Sequence, residues 1–348
     1  MQQLIGIIFH SIGGFSSASF YVPSYLIKKW SWQTYWITMG FVAWLVMPWV
    51  GACLATPDIL GILNQSPGTS LIRTYVFGIL WGFGGLGAGL GLRYIGLSLG
   101  QSISLGLSAI VGTIVPAILD RKIGLLVTTV PGGIIVSGLF ISVAGIVLCG
   151  YAGVIKDRML TDDQKKESVK EFSIVKGYTM AVLGGIMSGC MAIAINAGKP
   201  ISAVAVSTGT STVFANTPIL ILALGGGFTT NFVYSMIYMI KNKSYKDYGM
   251  GTSRILFRNY VMTMLSGLMW YGQFFFYGMG ETKMGSFSFA SWSIHMSSII
   301  IFSNLWGLWL KEWTLVNRKT RFCLWAGIVL LIISVFLIGI GNYLAGIG

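Results

Sequence analysis

Two histidines, His10 and His295, sit inside long stretches that carry almost no charge. Histidine is the side chain whose ordinary pKa falls nearest physiological pH. An ionisable group inside an apolar span is costly, and it tends to face a cavity and mark a pathway. Each histidine therefore fits a ligand contact or a proton relay. The competing account is packing, with each ring donating to a backbone carbonyl between helices. His295 closes the run Ser291-Trp292-Ser293-Ile294-His295, which adds a flat ring and hydroxyls. His10 lies one turn before Gly13-Gly14, among Ser11, Ser16, Ser17 and Ser19. No second His, Cys or carboxylate stands at metal-ligand spacing beside either histidine. No metal and no cofactor is expected.

Trp270, Gln273 and Tyr277 are spaced to share one helix face. Aromatic rings offer flat apolar faces to the C–H side of a sugar, and an amide binds its hydroxyls. With Trp292 and Asn196, these residues are the candidates for substrate binding; an aromatic packing stripe is the alternative. Asn196 and Lys199 close another run, with Pro200 ending it. They could line a vestibule, or the lysine could simply reach the interface. Arg93 ends a further run, as an anchor or as half of a gating ion pair. No Ser-His-Asp set and no catalytic pair of carboxylates is present, so the chain does not read as an enzyme. Six of the ten acidic residues fall in loops, while Asp58, Asp120, Glu281 and Glu312 fall at run ends. Cys53, Cys149, Cys190 and Cys323 form no CxxC and read as small hydrophobes.

The elements that must position these groups are membrane helices. The 348 residues are 54% hydrophobic and 9% charged, with a mean hydropathy of +0.76. A soluble domain carries about 25% charged residues. In lipid every backbone polar group must be satisfied internally, and continuous apolar runs favour helices over a barrel. Spans are predicted at 4–27, 35–55, 71–92, 95–118, 131–153, 177–197, 211–240, 255–279, 287–310 and 322–346. Most hold the roughly 20 residues that a bilayer crossing needs. The seventh is longer, and Gly225-Gly226-Gly227 within it predicts a tilt, a break or a re-entrant piece. The first run lacks a basic flank and a cleavage pattern, and is expected to be a retained helix.

The net charge of +13 follows topology. Counted loop by loop, eighteen of the 23 Lys and Arg residues fall on one side and five on the other. That bias is the positive-inside pattern. It places both termini outside and leaves basic loops to meet anionic lipid heads. It gives no cause to expect nucleic-acid binding.

The hydrophilic stretch 156–176 separates two five-span halves, 1–155 and 177–348. Gly13-Gly14 matches Gly184-Gly185, and Lys28 matches Lys199, at an offset of 171. Trp81 matches Trp270, Gly89 matches Gly278, Gly91 matches Gly280 and Gly96 matches Gly285, at an offset of 189. Gly138 with Gly327 and Gly150 with Gly339 keep that second offset. Five spans per half make the second copy inverted, the sequence trace of alternating-access transporters. Small residues from Gly82 to Gly91 permit close helix packing.

Taken in order, several motifs resemble the bacterial L-rhamnose–proton symporters: Lys28-Lys29-Trp30-Ser31-Trp32, Arg93-Tyr94-Ile95-Gly96 and Asn196-Ala197-Gly198-Lys199-Pro200. So do Gly267-Leu268-Met269-Trp270-Tyr271, Gln273-Phe274-Phe275-Phe276-Tyr277, Ser291-Trp292 with His295-Met296, and Leu310-Lys311-Glu312-Trp313. The resemblance covers nearly the whole chain. It implies ten helices in two inverted halves, as in the drug/metabolite transporter superfamily. It also implies uptake of L-rhamnose or a related sugar with a proton across a bacterial inner membrane. Gln33 stands where that family often has glutamate, and Gly85 and Ala88 stand where it has Asn and Tyr; Glu281 falls at a variable position. Gln33 cannot take up a proton, which leaves His295 and His10 as the expected coupling residues. The alternatives are an exporter of the same superfamily or, further off, a membrane sensor or enzyme. The sequence carries no signal for oligomeric state.

Overall fold

Apolar runs interrupted by Gly and Pro fold here as helices whose breaks fall where those residues act. The computed structural model describes residues 1–95, 97–159, 173–314 and 316–347. Most of the predicted linker, Gly96 and the Arg93 side chain lie outside the described residues. Among the described residues every regular element is helical.

The first group of helices is α1 (Gln2–Ser19), α2 (Trp32–Gly40), α3 (Met47–Ala55), α4 (Ile59–Gln65), α5 (Gly68–Ile95), α6 (Leu97–Leu119), α7 (Ile123–Thr128) and α8 (Val130–Arg158). The second group is α9 (Ile174–Ser188), α10 (Cys190–Ala197), α11 (Lys199–Ser207), α12 (Thr217–Lys241), α13 (Ser253–Glu281), α14 (Ser291–Trp309) and α15 (Arg318–Leu344). A π-helical stretch, Phe41–Val46, joins α2 to α3. Proline sits in the first turns of α3, α11 and α12, where its missing N–H costs nothing.

Eight stretches are long and apolar enough to cross a membrane, from Gln2–Leu26 to Arg318–Leu344. The chain is thus an all-helical, multi-pass membrane protein. Helices α13 and α14 occupy the eighth and ninth predicted spans but are not among those eight. Arg254, Arg258 and Asn259 in α13, and five serines with His295 in α14, dilute their apolar character.

The predicted interruption at Gly225-Gly226-Gly227 is not found. Helix α12 runs unbroken from Thr217 to Lys241, preceded by a short 3-10 turn at Thr212–Phe214. The glycines instead allow close approach: a Cβ on Gly226 would strike the Tyr75 carbonyl, and one on Gly227 the Trp81 ring. The breaks occur at Gly189, within the sixth predicted span, and at Gly198, just past its end. Pro200 does not end the helical path there; it opens α11.

Helix α1 packs on α13 and α14, while α9 packs on α5 and α6. The contacts match in detail. A Cβ on Gly280 would lie 2.7 Å from His10 Cε1, and one on Gly91 would lie 3.0 Å from Ala181 Cα. Gly6 meets Met284, and Gly177 meets Ile95. Along the pair formed by α8 and α15, Gly138 meets Ile338 and Gly327 meets Cys149. Every partner in these pairs differs from its counterpart by 171 or 189 positions.

At the end carrying most of the basic loops, Asp247 fastens the α12–α13 connection to the start of α2. Its carboxylate accepts from Ser31 N (2.8 Å) and Thr34 Oγ1 (2.8 Å). Burial raises the Tyr248 phenol pKa, although its hydroxyl also shares a 2.9 Å hydrogen bond with Thr38. The Asn259 amide brackets the Lys28 backbone, accepting from its N–H (3.1 Å) and donating to its carbonyl (2.7 Å).

Candidate functional site

Helices α1, α13 and α14 bring His10, Tyr277 and His295 together. The ring centroids lie 5.3 Å apart for His10–Tyr277, 5.2 Å for Tyr277–His295 and 6.3 Å for His10–His295. Both histidines are fully buried. Neither ring nitrogen of either residue has a hydrogen-bonding partner among the described residues. Gly13 and Gly280 create the space: a Cβ at Gly13 would sit 3.2 Å from His295 Cε1.

The sugar candidates form a continuous aromatic wall next to this cluster. Trp292 lies 5.5 Å from Tyr277 and 6.2 Å from His295. Its Nε1 donates to the Ser108 carbonyl at 2.9 Å, which fixes the indole across the boundary between α14 and α6. Phe274 links Trp292 (6.5 Å) to Trp270 (5.2 Å). Trp270 then meets Trp81 at 5.6 Å and Trp44 at 5.1 Å. Gln273 is buried on the same helix at 5% exposure. Trp270, Tyr277 and Trp292 are thus joined through one network of rings, with Gln273 buried on α13 between Trp270 and Tyr277.

Asn196 and Lys199 lie elsewhere, at the end opposite the basic loops. Both bind Asp120, at the end of α6: Lys199 Nζ sits 2.6 Å from Oδ2, and Asn196 Nδ2 donates to Oδ1 at 3.1 Å. A second set at this end joins Asn216 to Ser202, the Gly278 carbonyl and Glu281, at 2.7 to 3.1 Å. Lys122 Nζ donates to the Ser286 carbonyl at 2.7 Å.

The basic end holds a cavity of about 170 Å³ between α6, α8, α14 and the turn after α14. Ser303, Asn304, Cys149, Lys156, Glu312 and Trp313 are among its walls. Lys156 Nζ lies 3.1 Å from Glu312 Oε2 and 4.8 Å from the centre of the Trp313 ring. Asp120 was visible in the sequence only as an acid at a span end, whereas Glu312 also fell within the motif Leu310-Lys311-Glu312-Trp313. Trp44, Ser108 and Asn304 carried no signal that set them apart from packing residues. Among the described residues no three His, Cys, Asp or Glu side chains cluster as a metal site would require.

Buried polar and aromatic groups among multi-pass apolar helices suit a membrane transport protein. The family model for L-rhamnose-proton symport protein matches residues 2–344. The L-rhamnose-proton symporters of Cronobacter sakazakii and Yersinia pestis are each 34% identical over 341 residues, covering 97% of this chain and 97% and 98% of theirs. That of Yersinia pseudotuberculosis matches to the same degree. The chain belongs to the L-rhamnose–proton symporter family.

Proposed function

We propose that this protein imports L-rhamnose, or a closely related deoxyhexose or pentose, together with a proton across a bacterial inner membrane. Family membership over nearly the full chain supports the class and the substrate. The observation that carries the site is the contact of His10, Tyr277 and His295 with the Trp292 wall. His295 and His10 are the proton-coupling residues. Trp270, Gln273, Trp292 and Tyr277 contact the sugar, while Asn196 and Lys199 serve the opposite end, the lysine as a gate. Arg93 anchors the basic end.

The mechanism is alternating access by two inverted halves, 1–155 and 177–348, with 156–176 as their cytoplasmic linker. Ten helices span, α13 and α14 included, and both termini face the periplasm. The matched contacts at offsets of 171 and 189 support this arrangement. Two positive charges placed at His10 and His295 would repel, so the pair holds one proton. Protonation and sugar binding then each favour the state that can reclose, and coupling is that difference in affinity between states.

The test is uptake of labelled L-rhamnose into proteoliposomes with and without an inward proton gradient. Accumulation that requires the gradient is expected. Equal uptake in both conditions removes the coupling, and no uptake of any deoxyhexose or pentose removes the substrate class.

A further inference from the structure

Two acids sit at corresponding helix ends on opposite sides of the molecule, and they differ in what holds them. Helix α6 closes with Arg121 in the left-handed conformation (φ 56°), and α14 closes with Lys311 in the same conformation (φ 62°). Lys122 N donates to the Ala117 carbonyl at 2.8 Å, and Glu312 N to the Gly307 carbonyl at 2.9 Å. These are the same helix-terminating bond, displaced by 190 positions. An acid flanks the left-handed residue at each end: Asp120 before Arg121, and Glu312 after Lys311.

Asp120 is held by Lys199. The repeat counterpart of Lys199 is Lys28, at the basic end. Glu312 is not held by Lys28; it is held by Lys156, on the rim of the cavity. Lys28 is exposed, and its backbone is pinned by Asn259. The helices leading to Lys28 and Glu312 touch: Trp306 Nε1 donates to Ser19 Oγ at 2.8 Å, and the Phe15 and Trp306 rings stack at 6.2 Å.

We propose that Asp120–Lys199 and Glu312–Lys28 are the two latches of the transport cycle, and that Glu312 changes partner from Lys156 to Lys28 when the basic end closes. In the state described here the latch at the opposite end is made. Glu312 is parked on Lys156, and the cavity beneath it reaches inward to Leu105 and Ile300. Moving Glu312 to Lys28 draws the turn after α14 toward the end of α1 and covers that cavity. Glu312 is exposed, so either pairing contributes little to stability and the exchange of partners costs little, as a latch that must open and close requires. Lys156 is a resting partner, and its stacking on Trp313 keeps it in place when Glu312 leaves. This rests on the two-copy, alternating-access arrangement proposed above.

The experiment pairs charge exchange with cross-linking in the full chain. Glu312→Lys and Lys28→Glu should each lower sugar uptake by about tenfold, on the scale of losing one charge pair between states. The double variant K28E/E312K should recover to within about threefold of the parent. If it stays as low as the single variants, the proposal is overturned, whether or not K156E/E312K recovers. Because charge reversal can impair folding, the second arm uses Lys28→Cys with Glu312→Cys after Cys53, Cys149, Cys190 and Cys323 are replaced by serine. Oxidation should join the new pair and protect a third cysteine, Asn304→Cys, from a water-soluble maleimide. Failure to join 28 and 312 in folded protein also overturns the proposal. Cross-linking needs no substrate. A joined pair in a protein that takes up no L-rhamnose would therefore sink the sugar assignment and leave the latch standing.

Discussion

His10 and His295 come from opposite ends of the sequence and stand 6.3 Å apart, ring to ring, with Tyr277 against both. A buried polar group without a partner costs about 1–3 kcal/mol. Other buried groups among the described residues, Trp44 Nε1, Tyr271 Oη and Asn342 Oδ1 among them, also lack a partner, so the role proposed for the pair rests on the meeting of two ionisable rings from distant segments.

His295→Asn keeps a polar side chain but cannot carry the proton. It is expected to abolish gradient-driven accumulation of L-rhamnose while leaving sugar exchange across the membrane within about threefold, since exchange needs no net proton movement. Parallel accumulation and counterflow assays read the two quantities. Equal loss of both would assign His295 to sugar binding or stability.

Gly280 and Gly89 should respond oppositely to alanine. The Gly280 Cβ would press on the His10 ring at 2.7–2.9 Å, whereas a Cβ at Gly89 would meet nothing within 4 Å. Overpacking at Gly280 should cost about 1–3 kcal/mol. At Gly89 the change should be neutral or gain up to about 1 kcal/mol from helix propensity. Thermal melting in detergent compares them directly.

Trp292→Phe retains an aromatic ring and loses the bond to the Ser108 carbonyl. It should cost about 1 kcal/mol of stability and raise the KM for sugar more than it lowers kcat. A fall in kcat alone would place Trp292 outside the binding wall.

Asp247→Ala removes the acceptor shared by Ser31 N and Thr34 Oγ1 at the start of α2. The expected cost is about 1–2 kcal/mol, the range for losing a helix N-cap acceptor. Limited proteolysis should cut the connection between α12 and α13 faster in the variant, while Asp247→Asn falls between the two.

The histidines were legible because an ionisable group stands out against an apolar background, and the α13 face because its spacing is helical. Gly225-Gly226-Gly227 did not give the break it allowed, because glycine has two uses in a membrane: it can loosen a helix or let another one touch it. The close contact of the Tyr75 carbonyl and the Trp81 ring with α12 shows the second use, and a single chain read in order cannot show that. Asn196 and Lys199 were legible as a pair, but their partner Asp120 is 76 and 79 positions away. The cavity under Glu312 was invisible for the same reason. It is a gap left by the angles between α6, α8 and α14, and no residue type encodes it.

The ring cluster occupies a single one of the two matched interfaces. At the corresponding offsets, His10, Tyr277 and His295 become Ala181, Ala88 and Gly106. A rocker built from equal arms would balance, with no cause to rest tipped one way. Loading one arm with three bulky polar rings and the other with methyl groups and hydrogens removes that indifference. Under the alternating-access cycle proposed above, the two end states would differ in what these three positions pack against, and the empty carrier would favour one of them.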